Sequence, residues 1–367
     1  MRRDKTLDYL RGLAVFQVVF VHVIYWLDVI RPECLTVVKS FTLFEMSIFF
    51  FVTGAVNSIK DYPSYGSFCA KRIKALLVPY YVYALICIAI SIIYYIAVGE
   101  FSAILLIKLL ISWLIPVNTQ IMPLWYFTWA MWFVPVYLIS IVIFPAVRKA
   151  VQRYGRITIA VLVLIFITIE IILTLALSGV SEEGAGIYIH SLSLIIAESS
   201  FLIIFMGTGV LYSQLKERRK KDLILSASVL AASAAGLAIS AFLPGSTLDM
   251  QKNQFPANHV FLFFSFAIMT SLYLAMPFIK KVYRSLIKVI PAADILFTVF
   301  SDNSMYVFLY QSFAFWFTDL ILLILKLNYT VFEPFAAFIL AYALVWFTIK
   351  MIGMIKSAGK RLLKNKT

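Results

Sequence analysis

The chain has 367 residues, of which 62% are hydrophobic and 14% charged, and its mean hydropathy is +0.94. A soluble domain of this size could not be built that way, because it would lack the polar surface to cover its core. The net charge of +14 would suggest nucleic acid in a soluble protein, but where the charges fall points to a membrane instead.

Ten apolar stretches are read as spans, at 7–30, 39–56, 76–97, 124–147, 157–176, 191–213, 223–243, 259–279, 304–325 and 334–352. Each is close to the roughly 20 residues that cross a bilayer as a helix. With the N-terminus placed inside, 27 of the 32 basic residues lie on the inner side. The outer five are Arg31, Lys39, Lys108, Lys252 and Lys326. This asymmetry follows the positive-inside rule and puts both termini in the cytoplasm. The charge therefore reports orientation, with no nucleic-acid partner implied. The expected fold is all-α, a polytopic membrane helix bundle of about ten transmembrane helices.

The first span has a basic flank and no small-residue cleavage site, so it reads as a retained helix. One membrane domain, 1–367, accounts for the chain, since no connection is long enough for a soluble domain. Segment 98–123 holds a short apolar part, Phe101–Ile115, that carries Lys108, and is read as re-entrant or interfacial. Segment 281–303 mixes Lys and Arg with large apolar residues, as an amphipathic helix on the inner surface does. Cys34, Cys69 and Cys87 have no paired spacing, so neither a disulfide framework nor a metal site is expected. No Gly-rich phosphate loop or nucleophile elbow appears, and cofactor chemistry is not expected.

Ionisable side chains within spans mark candidate function, because burying them in lipid is costly. Arg11 and His22 stand eleven residues apart in the first span. That is about three helical turns plus 20°, so both leave one face about 16 Å apart along the axis. Such a stripe could guide an anionic ligand toward an acid/base; equally, Arg11 could anchor to lipid phosphates and His22 pack in the bundle. Glu45, Glu170, Glu198 and Asp319 also fall within spans. Counted at about 1.5 Å per residue, they and His22 lie about 18–22 Å from the inner surface, a level that suggests a polar cavity. Glu45 could orient the His22 ring, or simply reach water at the outer interface. Lys71, Arg72 and Lys74 sit at the end of the inner loop, where they could hold phosphates or only set orientation. Trp125, Tyr126, Trp129 and Trp132 read mostly as interfacial belt and packing residues.

The stretch Leu7-Asp8-Tyr9-Leu10-Arg11-Gly12-Leu13-Ala14, with His22 beyond it, resembles the opening signature of the acyltransferase-3 family of integral membrane acyltransferases. That signature is an Arg, ten intervening residues and a His. Phe44 to Gly54 resembles the Phe-rich second-span pattern, Leu124-Trp125-Tyr126-Phe127 the Leu-Trp-Phe element, and Asn303-Ser304 with Tyr306–Tyr310 the late Asn-Ser motif. Two positions depart from the pattern. Ala75 stands where many members carry the second Arg of an Arg-x-x-Arg pair, and Gln311 where the late motif often has His. The Lys-rich form is similar to the branch of fucose and exopolysaccharide O-acetylases, and no hydrolase-like C-terminal domain follows.

The resemblance implies transfer of an acyl group, usually acetyl, from cytoplasmic acyl-CoA to a hydroxyl of a lipid-linked or cell-surface glycan. His22, with Glu45, would be catalytic, His22 removing the hydroxyl proton. Arg11, Arg72, Lys71 and Lys74 would hold the donor's phosphates. Glu170, Glu198, Trp125, Asn303, Ser304 and Asp319 would line the acceptor cavity, opening outward. The partners implied are acyl-CoA, the glycan and membrane lipid, in a multi-pass protein of a bacterial-type plasma membrane. Two other functions stay open: an exporter or flippase of lipid-linked sugars, and a non-catalytic partner of a polysaccharide synthase. The missing internal repeat counts against the first, whereas the Ala75 and Gln311 departures would suit the second.

Overall fold

A computed structural model of the chain describes residues 5–26, 36–60, 62–114, 127, 129–180, 186–214, 220–243, 247–326 and 333–364. Among them the regular structure is helical, without a strand. In chain order the helices are α1 (Lys5–Trp26), α2 (Thr36–Ser40), α3 (Glu45–Ile59), α4 (Tyr65–Ala97) and α5 (Ala103–Leu114). A 3₁₀ turn, Trp129–Trp132, leads into α6 (Phe133–Tyr154), followed by α7 (Arg156–Leu177), α8 (Gly186–Gln214) and α9 (Lys220–Ala241). The last five are α10 (Met250–Gln254), α11 (His259–Val289), α12 (Pro291–Asp302), α13 (Ser304–Ile324) and α14 (Glu333–Lys364).

Nine of the described helices are long and apolar enough to cross a membrane: α1, α4, α6, α7, α8, α9, α11, α13 and α14. The expected second span is the exception. Its region folds as the short α2, a turn, and the 15-residue α3. At about 1.5 Å per residue α3 is only about 22 Å long, less than a hydrocarbon core. The inner loop expected up to residue 75 is already helical from Tyr65, because Ser64 caps α4 by accepting from the Ser67 N–H at 3.1 Å. Among the described residues of segment 98–123, α5 is 12 residues long, shorter than a span. Tyr80 ties α5 to α4 by donating to the Trp113 carbonyl at 2.7 Å. In segment 281–303, α11 runs on to Val289, the chain breaks at Ile290–Pro291, and α12 folds back onto α1. Proline at the first turn of α12 suits a helix start, where no N–H is needed.

The bundle is centred on α1, α3 and α8. Helix α1 packs against α3, α12, α13 and α14, and α8 against α3, α6 and α7. Helices α7 and α9 bury little of themselves and present Ile, Leu and Val outward, as lipid-facing helices do. The closest crossing is α3 on α8. A Cβ on Gly54 would lie 2.0 Å from the Met206 carbonyl oxygen, and one on Gly209 would lie 2.0 Å from that of Phe51. Only a glycine on each helix, set against the backbone of the other, allows this approach, the usual means of gluing helices in lipid, where burial of apolar surface gives no driving force.

Replacing Gly209 with Ala should therefore force the two helices apart and cost about 1–3 kcal/mol, the usual range for overpacking. Thermal unfolding of the detergent-solubilised protein should show a lowered midpoint for Gly209→Ala. Gly353→Ala, where an added Cβ meets nothing within 4 Å, should leave it unchanged.

Candidate active site

The face of α1 expected from the spacing is present. Arg11, Val15 and Val18 line one cavity at successive turns, and His22 is the next residue on that stripe. The cavity has a volume of about 120 Å³ and is otherwise walled by α3, α4, α6 and α13. Arg72 of α4 lines it as well, so two cations from distant parts of the chain meet in one space.

Each guanidinium is held by neutral groups. Arg11 Nη2 donates to Ser304 Oγ at 2.7 Å, and its Cζ lies 6.0 Å from the Phe49 ring centroid, within cation–π reach. Arg72 Nη2 donates to Asn57 Oδ1 and, at 2.8 Å, to Tyr62 Oη. The Nε atoms of both arginines are buried and lack a hydrogen-bond partner among the described residues. No acidic residue lines the cavity among the described residues, and Asp8 and Asp302, within electrostatic reach of Arg11, stand outside it. Buried cationic donors left open cost free energy unless an anion meets them. An anion entering the cavity would meet both buried Nε donors.

The backbone beside Arg11 is fixed just as tightly. A Cβ on Gly12 would lie 2.3 Å from the Phe297 carbonyl oxygen, so α12 can lie on α1 only because residue 12 is glycine. Behind α1, Tyr342 Oη donates to the Phe16 carbonyl at 3.0 Å and ties α14 to it.

Further along the stripe, His22 Nδ1 and Gln311 Oε1 are 2.9 Å apart. Gln311 Nε2 donates to the Phe308 carbonyl at 3.0 Å, one turn earlier in α13. A carbonyl only accepts, so the amide nitrogen must face Phe308 and the amide oxygen must face the imidazole. An amide oxygen also only accepts, so Nδ1 carries the proton and Nε2 the lone pair. Gln311 is wholly buried and cannot swing away. Gln311 thus sets the imidazole tautomer.

The other expected site residues are more dispersed. Ser304 is brought into the cavity, as Arg11's partner. Asn303 precedes it and donates to the Val299 carbonyl at 3.0 Å, finishing α12. Glu45 is buried at the start of α3, with Oε2 unpartnered among the described residues and Tyr25 within electrostatic reach, one turn past His22. The oxygen that orients His22 Nδ1 comes from Gln311 and not from Glu45. Lys71 and Lys74 are exposed and do not line the cavity; Ala75, a turn after Arg72, does. Glu170 is drawn to His259 Nδ1 at 2.7 Å, Glu198 accepts from the Ala257 N–H at 2.9 Å, and Asp319 is exposed on α13. None of these three acids lines the Arg11 cavity. Trp125 lies outside the described residues. A larger cavity of about 610 Å³ between α7, α9 and α11 is mostly apolar, contains neither Arg11 nor His22, and has its one cation, Arg156, paired with Asp222.

The family model for the acyltransferase domain matches residues 4–350. The chain belongs to the acyltransferase-3 family. The matched region contains Arg11, His22, Arg72, Ser304 and Gln311, so the cation cavity and the oriented imidazole both lie within it. The protein is a membrane acyltransferase, acting on groups other than amino-acyl groups. No curated protein and no solved structure matches the chain.

The tautomer can be checked directly, because the chain has only 3 histidines. Nitrogen-15 spectra of histidine-labelled protein should show the His22 proton on Nδ1. In Gln311→Leu the signal should shift toward a mixture of tautomers while His190 and His259 stay as they were. An unchanged His22 signal in that variant would remove Gln311 from this role.

Proposed function

We propose that this acyltransferase moves an acyl group, acetyl in the first instance, from cytoplasmic acyl-CoA to a hydroxyl of a cell-surface or lipid-linked glycan. The observation that carries the reading is the pairing of Arg11 and Arg72 in one cavity on the same α1 stripe that leads to His22. Taking the basic side of the bundle as cytoplasmic, the donor's phosphates meet these arginines as they arrive from the cytoplasm. A guanidinium suits a phosphate because its fork donates two parallel hydrogen bonds. The pantetheine arm is uncharged and flexible. It passes between Val18 and Phe308, the cavity residues nearest the His22–Gln311 pair in sequence, to bring the thioester near the imidazole.

At that point His22 Nε2 accepts the proton of the acceptor hydroxyl as its oxygen attacks the thioester carbonyl. The C–S bond breaks, the acyl group stays on oxygen, and the imidazolium returns the proton to the departing thiolate. Glu45, buried near the turn that follows His22, is assigned to neighbouring hydroxyls of the sugar, for which its unpartnered oxygen is an acceptor. The acceptor then approaches from the side opposite the phosphates. Donor and acceptor meet at the imidazole without CoA crossing the membrane.

Purified protein in lipid nanodiscs, given radiolabelled acetyl-CoA and membrane glycolipid, should transfer label to the lipid fraction. His22→Ala should abolish transfer while inserting normally. Wild-type turnover in a well-inserted His22→Ala protein would end the general-base assignment.

Arg11→Ala and Arg72→Ala should act on the donor instead. Each should raise the acetyl-CoA KM by the equivalent of about 1.5–3 kcal/mol, the range for a hydrogen bond to a charged group. The Lys variants should recover only part of that. Unchanged KM in both Ala variants would move the donor site elsewhere.

A further inference from the structure

A second cavity, of about 450 Å³, lies at the basic end of the bundle between the start of α4 and the end of α6. Its aromatic side is Tyr62, Phe68 and Phe144. Tyr62 meets Phe68 edge-on with centroids 4.8 Å apart, and Phe68 stacks on Phe144 at 5.5 Å. Phe68 and Phe144 are buried, which fixes these rings in place. The polar side is the last turns of α6, with Arg148, Lys149 and Gln152, and no acidic residue lines the cavity among the described residues. Arg148 Nη1 donates to the Lys60 carbonyl at 3.1 Å, which holds its charge at the rim, and Lys149 and Gln152 are exposed beside it.

This cavity and the Arg11 cavity are neighbours. Arg72 lines one, Tyr62 lines the other, and the two side chains touch: Nη2 to Oη is 2.8 Å, and Cζ lies 6.0 Å from the Tyr62 ring centroid. A ligand lying across that contact would have Arg72 at its middle.

We infer that this cavity binds the purine-nucleotide end of the thioester donor, its base against the Tyr62 side and its ribose 3′-phosphate on Lys149 and Arg148, with the diphosphate left to Arg72 and Arg11. The inference rests on the acyl-CoA reading given above and extends it. Three features support it together. The half-buried Tyr62 ring, backed by the buried Phe68, offers a flat base a surface to stack on. Two cations at one edge suit a dianionic phosphate better than one cation would. The Gln152 amide supplies both a donor and an acceptor, which a purine edge needs. The same cations could hold a lipid headgroup phosphate; the aromatic side is what a nucleotide would use and a headgroup would not.

Full-length protein in nanodiscs of zwitterionic lipid, dialysed against radiolabelled adenosine 3′,5′-bisphosphate, separates these cases. Wild type should bind it saturably. Lys149→Glu should weaken binding by about tenfold or more, each tenfold being about 1.4 kcal/mol. Pyrophosphate should compete at least about tenfold less well than the bisphosphate, since it lacks the base. Lys108→Ala, on α5 and lining neither cavity, should bind the bisphosphate as wild type does. In turnover, Lys149→Ala should raise the KM for acetyl-CoA and leave that for acetyl-pantetheine unchanged, with kcat unaltered for both.

Unchanged bisphosphate binding in Lys149→Glu, or equal competition by pyrophosphate, would overturn the nucleotide cavity and leave an anion or headgroup patch. Saturable, Lys149-dependent bisphosphate binding in a protein that turns over no thioester would uphold the cavity and overturn the donor reading alone.

Discussion

Everything at this site depends on keeping two guanidinium groups inside an apolar bundle. Arg11 and Arg72 repel each other, and no carboxylate among the described residues lines their cavity to neutralise them. What holds them is a ring of neutral dipoles and π faces: Ser304, Asn57, Tyr62 and Phe49. A carboxylate there would satisfy the arginines permanently and compete with any incoming anion. Neutral partners fix where the guanidinium groups point and leave their charge available, a division suited to binding a polyanion and releasing it.

The architecture serves that arrangement. Asn57 and Phe49 both come from α3, and α3 is fixed by backbone contact with α8 at Gly54 and Gly209. Arg11 is set by α1, which α12 meets across Gly12 and α14 grips through Tyr342. Arg11 therefore sits on a helix, and Arg72 against a helix, whose position is determined by close packing elsewhere. Precise placement of a few polar atoms in lipid needs such support, because water is not there to fill a gap.

How much of this could be read from the residues alone depended on distance along the chain. The stripe from Arg11 to His22 was legible because helical geometry links the two positions within one span. The cluster around Arg72 was visible as a cluster, but its division was not. Once α4 starts at Tyr65, Lys71 and Lys74 fall on the exposed face while Arg72 turns into the bundle. Ser64, a good helix N-cap, was the local signal for that earlier start. Asn57 and Gln311 could not be found this way. Asn57 is neutral and carries no signal of its own, although Arg72 is only 15 residues on; Gln311 is neutral and lies 289 residues from His22, and only the packing of α13 on α1 brings it in. Glu170 and Glu198, by contrast, stood out as intramembrane acids and are taken up by partners on α11 and the loop before it, His259 and the Ala257 amide. A similar depth in the bilayer does not make residues neighbours, because it says nothing about the angle around the bundle.

Helices α1 and α13 are joined at two rungs, Arg11 to Ser304 and His22 to Gln311. The first rung belongs to the charge that grips a ligand, the second to the base that would act on it. Because both rungs end on one helix, a turn or slide of α13 would loosen them together. Grip and reactivity are then geared to a single moving part, so a half-engaged state with a held ligand and a misaligned base is disfavoured. Such gearing suits a membrane acyltransferase, in which an activated acyl group met by water would be lost to hydrolysis.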